Sequence, residues 1–302
     1  MRSRSLRCRS ALAALAALLL GAVANAQAPA AGPPPGYGDA YAGKKKVLVI
    51  GDLRTGNQNA HDALSHAMAT IEQLGRRSGA YVAFLRTDTQ WITKDEVWGQ
   101  GEYAKGGRRQ ARGRNLDHFD AVVFYTNGET EMTARQKQAL LDWVHDEGKG
   151  FVALHTANIP YPSWQDYARL IGANWDNHPW GIVQAQLRVE RPHFPGLNEL
   201  PAAFAARDEF YQYTAPFSRT DVDVLVSIDP ASVDLANRNV HRTDHDFPQV
   251  WVKRHGQGRV FSSALGHTDA SWDDPNHQRI VLEGIKWALG LTAYEPQPHA
   301  AP

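Results

Sequence analysis

The side chains of this sequence best suited to chemistry are imidazoles and carboxylates, and they recur where an apolar run gives way to a polar turn. His155-Thr156 follows the apolar residues 151–154, and His267-Thr268 follows 260–266. His61 closes the polar stretch 51–60, which itself follows Val47-Leu48-Val49-Ile50. Asn127 and Glu129 follow the run 121–125. His178-Pro179 and the Asp208-Glu209 pair stand in connecting segments. Imidazoles beside a carboxylate suit two tasks. One is proton transfer near neutral pH, since histidine titrates at about 6.5; the other is ligation of a divalent cation. Each residue also has a plain structural reading: His61 as a helix-start residue, His178 as a turn residue before proline, Asp208-Glu209 as an exposed pair. No His-Glu-x-x-His or Gly-x-Ser-x-Gly motif occurs, so zincin peptidase and serine hydrolase chemistry lack support.

Elements of two kinds must position these groups. Thr133 with Gln136 three residues later predicts a capping box opening a helix to about Asp146. Gly148 and Gly150 end that helix and turn the chain into a short buried strand, 151–154. Further strands are expected at 46–50, 79–85, 121–125, 182–189, 222–228, 249–253 and 258–265, and an aromatic strand immediately after Asp208-Glu209. Helices are expected at about 60–77 and 275–289. Strand and helix alternating in this rhythm imply a parallel sheet wound by helices. In such sheets ligands bind beyond the carboxyl ends of the strands, so residues distant in the chain can converge there.

Composition bounds the rest. Arg2, Arg4, Arg7 and Arg9 precede an apolar stretch from Ala11 to Val23 and an Ala24-Asn25-Ala26 cleavage pattern, so residues 1–26 are expected to be a secretory signal peptide and the product periplasmic or secreted. The sole cysteine, Cys8, would leave with the leader, excluding disulfides and a cysteine nucleophile from the mature chain. No later run approaches the ~20 apolar residues of a membrane span. Loss of those arginines takes the formal charge from 0 to −4, which gives no reason to expect a nucleic-acid partner. Residues 27–43 are expected to be a flexible linker, 44–291 one domain and 292–302 a loose tail. The Arg/Gly-rich stretch 105–114 is taken as a solvated surface loop. Trp164, Trp175, Trp180 and Trp272 are candidates to stack on sugar faces, although core packing is the commoner fate of tryptophan.

Several of these motifs together resemble the ThuA-like (trehalose utilisation) family. They are His61-Asp62 with Ser65-His66-Ala67, the segment Gly150 to Thr156, Trp164 with Tyr167, His178-Pro179, Asp208-Glu209-Phe210-Tyr211, and Gly258-Arg259-Val260-Phe261 with Leu265-Gly266-His267-Thr268. The likeness runs from about Lys45 to Leu291. It implies a class I glutamine amidotransferase-like fold: an α/β, flavodoxin-like, doubly wound and mostly parallel sheet. True amidotransferases place a cysteine nucleophile at the elbow where this chain has His155, so thiolate glutamine hydrolysis is excluded. Phe247-Pro248-Gln249-Val250 stands where relatives often show a His-Pro pair, with His245 upstream. The resemblance implies sugar catabolism, associated with trehalose-type disaccharides and 3-keto-sugars. On this reading His155 and Glu209 are the expected acid–base pair. His61, His178 and His267 are expected to bind substrate or, with His155, a divalent metal ion. Asn127, Thr156, Trp164 and Tyr211 are further candidate substrate contacts. Alternatives are a non-catalytic periplasmic carbohydrate-binding protein and a scaffold for a sugar oxidoreductase.

Overall fold

The computed structural model describes residues 41–52, 61–97, 114–127, 131–159, 161 and 163–299. The expected leader (1–26), the linker up to residue 40, the loop 53–60, the Arg/Gly-rich stretch up to residue 113 and Glu129 lie outside the described residues.

Strands covered on both faces need apolar residues at successive positions. That is the composition of β1 (Lys46–Asp52), β3 (Ala121–Thr126) and β4 (Gly150–Leu154), which are buried almost throughout. With β2 (Val82–Arg86) and β11 (Gly258–Ser263) they form a parallel array in the order β2-β1-β3-β4-β11. Because successive side chains point to opposite faces, Val47 and Val49 of β1 pack in the same layer as α1 (Leu64–Ser78) and α5 (Pro275–Ala288). Leu48 and Ile50 join the layer of α2 (Ala134–His145) and α3 (Gln165–Ile171). The capping box forms as expected, with Thr133 accepting from Gln136 N and the Gln136 side chain bonded to Thr133 N. The fold is therefore doubly wound α/β.

The other half of the sheet is antiparallel. β10 (Pro248–His255), β9 (Asp223–Ile228), β6 (Ile182–Val189) and β7 (Ala203–Glu209) continue it from β11 in that order, giving a mixed sheet of nine strands. A two-stranded ribbon, β5 (Asn174–Asn177) with β8 (Gln212–Thr214), adds a second small sheet. Alternating direction across β11-β10-β9-β6-β7 makes β7 run the same way as the parallel strands. Its carboxyl end therefore lies on the same edge as theirs. Asp208 and Glu209 end β7 and do not precede an aromatic strand; Phe210 and Tyr211 form the link to β8. Among the described residues, no helix is long and apolar enough to cross a membrane.

Residues 292–299, expected to be loose, are pinned. Asp223 is fully buried, and its Oδ2 accepts from Tyr294 Oη at 2.6 Å and from Gln297 N at 2.7 Å, while Arg191 Nε donates to Oδ1 at 2.8 Å. A buried carboxylate demands such partners. Tyr294→Phe should accordingly lower stability by about 1.5–3 kcal/mol, the worth of a hydrogen bond to a charged group, measured by chemical denaturation.

Candidate functional site

The carboxyl edge gathers the site from four chain segments. His155 opens a 3₁₀ turn directly after β4 and takes a left-handed backbone, φ +44°. That conformation is unfavourable for a non-glycine residue by about 1–2 kcal/mol. The turn is held by Asn158, whose Nδ2 donates to Ser263 O at 2.8 Å and to His155 O at 3.2 Å. The His155 ring is fully buried, and its Nδ1 lies 2.6 Å from Ala264 O. A carbonyl can only accept, so Nδ1 carries the proton and Nε2 presents a lone pair. Burial first, then the neighbouring His61 and His267, push the His155 pKa well below the usual imidazole value and keep the ring neutral.

Three groups meet that lone pair. Tyr211 Oη donates to Nε2 at 3.1 Å, and its ring stacks on His155 at 5.1 Å between centroids. His267 Nδ1 stands 3.0 Å from Nε2 and 3.2 Å from Glu209 Oε2; that oxygen is 3.7 Å from His155 Nε2. His61 closes the group, its ring 5.3 Å from that of His155 and 5.0 Å from that of His267. Burial alone would raise the Glu209 pKa. The His267 hydrogen bond, with the charge of the His267 ring, outweighs it and holds the carboxyl at about 2. For His267 burial lowers the pKa, but the hydrogen bond and charge of Glu209 reverse the sign and raise it.

The positioning comes from Asp208. Its Oδ2 accepts Gly266 N at 2.7 Å, and its Oδ1 accepts His267 N and Glu209 N, each at 2.9 Å. Gly266 O in turn accepts Tyr125 Oη and Trp272 Nε1, both at 2.9 Å. The Gly266-His267 turn is thus clamped from both sides.

One ligand atom from each of His61, His155, Glu209 and His267 lies within 4.8 Å of the others. Four donors about 2.0–2.1 Å from a tetrahedral zinc stand roughly 3.3 Å from one another. The separations of 3.0, 3.2 and 3.7 Å bracket that value. Three imidazoles and one carboxylate also match the ligand preference of zinc and its neighbours, and a backbone carbonyl on the far nitrogen, as at His155, is what orients a ligating histidine. The residues present can hold a divalent cation.

The family model for trehalose utilisation, ThuA, matches residues 46–288. The chain belongs to the ThuA family. Membership ties it to carbohydrate utilisation. The fold is similar to that of a ThuA-like protein from Bacteroides uniformis ATCC 8492, with a TM-score of 0.63 at 22% identity over 85% of this chain and 95% of that one. It is also similar to one from Parabacteroides merdae ATCC 43184, with a TM-score of 0.60 at 18% identity over 84% and 93%. Among proteins of curated function, none matches the sequence.

In this ThuA-family chain the residues singled out from sequence sort into three groups. His61, His155, His267 and Glu209 converge, with Tyr211 against them. His178 is half exposed at the rim, its Nδ1 3.6 Å from Glu209 Oε1, and is not among the four converging donors, of which Glu209 is the fourth. Thr156 is buried beside His155 with no hydrogen-bond partner for its hydroxyl among the described residues. Asn127 is buried at the end of β3, its N–H donated to Asp52 O at 3.1 Å. Trp164 lies apart from the cluster, packed against Tyr161 and Tyr167, and lines a groove of about 270 Å³ with Trp175. Trp175 links that groove to the cluster, its ring 5.8 Å from His178 and 6.2 Å from Tyr211. Gln249 brackets Tyr211 by accepting its N–H at 3.1 Å and donating to its carbonyl at 2.8 Å. Asn158 and Gln249 were not expected to serve the site, and Asp208 was expected only as a member of the acidic pair, not as a clamp on the backbone.

The linked titrations have opposite signs. Glu209's contribution to stability is complete above its ordinary 4.5 and is lost as pH falls toward about 2. His267's is complete below 6.5 and is lost as pH rises through its raised value. In chelator-treated protein the His267 ring should therefore titrate above 6.5 by NMR and fall below it in Glu209→Gln.

Proposed function

We propose that this ThuA-family protein is an enzyme acting on a sugar or 3-keto-sugar at a divalent metal centre held by His61, His155, His267 and Glu209. The convergence of those four side chains at the carboxyl edge carries the reading. The cation would supply a Lewis acid for a carbonyl or hydroxyl oxygen of the sugar. The chain's own residues do the rest. His155, kept neutral, and Glu209, kept ionised, act in this reading as ligands and not as the acid–base pair expected from sequence, because the only free lone pair of His155 faces inward. His178 is the imidazole open to solvent and adjoins Glu209, so it takes the proton-transfer role. The C–H next to a ketone is acidified by enolate formation, and a base on one face with an electrophile at the oxygen suffices for isomerisation, epimerisation or elimination. The groove of Trp164 and Trp175 offers aromatic faces for a sugar ring. The protein would work in the periplasm or outside the cell, where a sugar oxidoreductase would supply the ketone.

A second reading is carbohydrate binding without turnover, favoured by the complete burial of His155 and by the same aromatic groove.

Elemental analysis of purified protein should find one divalent metal per chain, absent from Glu209→Gln and His267→Ala. Incubation with 3-keto-glucosides should convert them, chelator should abolish conversion, and His155→Gln should lose the metal and with it the turnover. Loss of turnover in His155→Gln with metal retained would return His155 to the acid–base role. Sugar binding by calorimetry without conversion in any condition would establish the second reading.

A further inference from the structure

His155 offers the centre one lone pair, and that lone pair already has a partner. With its Nδ1 proton donated to Ala264 O, Nε2 carries none of its own. Two groups reach Nε2, His267 Nδ1 at 3.0 Å and Tyr211 Oη at 3.1 Å. The His267 N–H has a better acceptor in the ionised Glu209 carboxylate at 3.2 Å, because hydrogen bonds to charged groups are the stronger ones. The Tyr211 hydroxyl has no other hydrogen-bond partner among the described residues, so its proton goes to Nε2. The phenol is held in that place. Its ring stacks on His155, Gln249 grips both of its backbone groups, and Trp175 and Tyr213 stand edge-on at 6.2 and 6.3 Å. Tyr211 is fully buried, so the ring cannot swing aside and only the O–H can turn.

We propose that Tyr211 is a positioning residue that opposes loading of the metal centre: its hydroxyl occupies the ligating lone pair of His155 in the metal-free protein and yields it when a divalent cation enters. This inference rests on the metal reading above. A neutral imidazole has a single acceptor site, which cannot take a proton and a cation at once. The side chains of Glu209 and His267 are 11% and 12% exposed, whereas His155 and Tyr211 are fully buried, so a cation enters on the Glu209 side. Before loading, the Tyr211 bond aims Nε2 into the cluster and spares a buried acceptor from going unpaired. Loading breaks that bond and leaves the phenol, fixed by its stacking and by Gln249, without the acceptor it had. The hydroxyl therefore holds the affinity of the centre below what the four donors would give by themselves, and the loaded site gives up its cation more readily. The bond broken is the same whichever cation takes Nε2, so the effect is the same for each.

The test compares the full chain with Tyr211→Phe, each titrated with zinc and with cobalt(II) against a competing chelator. Tyr211→Phe removes the hydroxyl and keeps the stacked ring. It should bind both metals about two- to tenfold more tightly, the worth of one neutral hydrogen bond, and by the same factor for each. The cobalt(II) absorption spectrum should not change, since the donors are the same. A merely structural role would loosen the site, so the direction of the change separates the two. Should the variant fail to fold, 3-fluorotyrosine at position 211 alone keeps both ring and hydroxyl, and its single ¹⁹F signal should shift when one equivalent of zinc is added. Equal or weaker affinity in Tyr211→Phe, an altered cobalt spectrum, or a ¹⁹F signal unmoved by bound zinc would overturn this inference and leave the metal reading standing. Metal uptake by neither protein would overturn both.

Discussion

A buried carboxylate holds the site together. Asp208 is almost wholly shielded from water, and burial raises its pKa against the pull of the backbone N–H groups that bond it. Those groups belong to two segments, the end of β7 and the turn after β11, which the order of the sheet separates by β10, β9 and β6. The Asp208 bonds tie those two segments directly to each other. Glu209, the next residue along the strand, points the other way and so meets His267. This clamp joins the strand end that carries the carboxylate to the turn that carries the His267 imidazole, across the antiparallel half of the sheet.

Much of this was legible in the sequence because it follows from periodicity. The strands β1, β3, β4 and β11 were marked by apolar runs too short for helices, and α2 by its capping box. Since parallel strands share a carboxyl edge, the meeting of His61, His155 and His267 followed from the fold class. The antiparallel half was harder to read. β6 alternates visibly, exposed positions taking turns with buried or half-buried ones along the strand, but nothing in Asp208-Glu209 said whether the pair begins or ends a strand. That depends on the register of β7 against β6, a long-range pairing. The tail misled for a related reason. Residues 292–299 look like linker, and their anchor, Asp223, is a lone acid in an apolar strand about seventy positions earlier.

The site also departs from proton-transfer chemistry as sequence alone would have it. A histidine at a strand exit was expected to face substrate. Here one nitrogen of His155 is committed to Ala264 O and the other faces His267, Glu209 and Tyr211. Side-chain type foretold the chemistry available at the edge, whereas hydrogen-bond direction decides which atom is left to perform it. Gln249 illustrates the point, because it serves the site by gripping the backbone of Tyr211 without entering the cluster.

The elbow after β4 has one more consequence. A thiolate held there, as in amidotransferases, would be exposed to peroxide and climb irreversibly to sulfinic and sulfonic acids. Here the elbow carries an imidazole, the converging donors are nitrogen and oxygen only, and Cys8 is the sole cysteine of the sequence. The converging donors therefore hold no thiol that peroxide could oxidise.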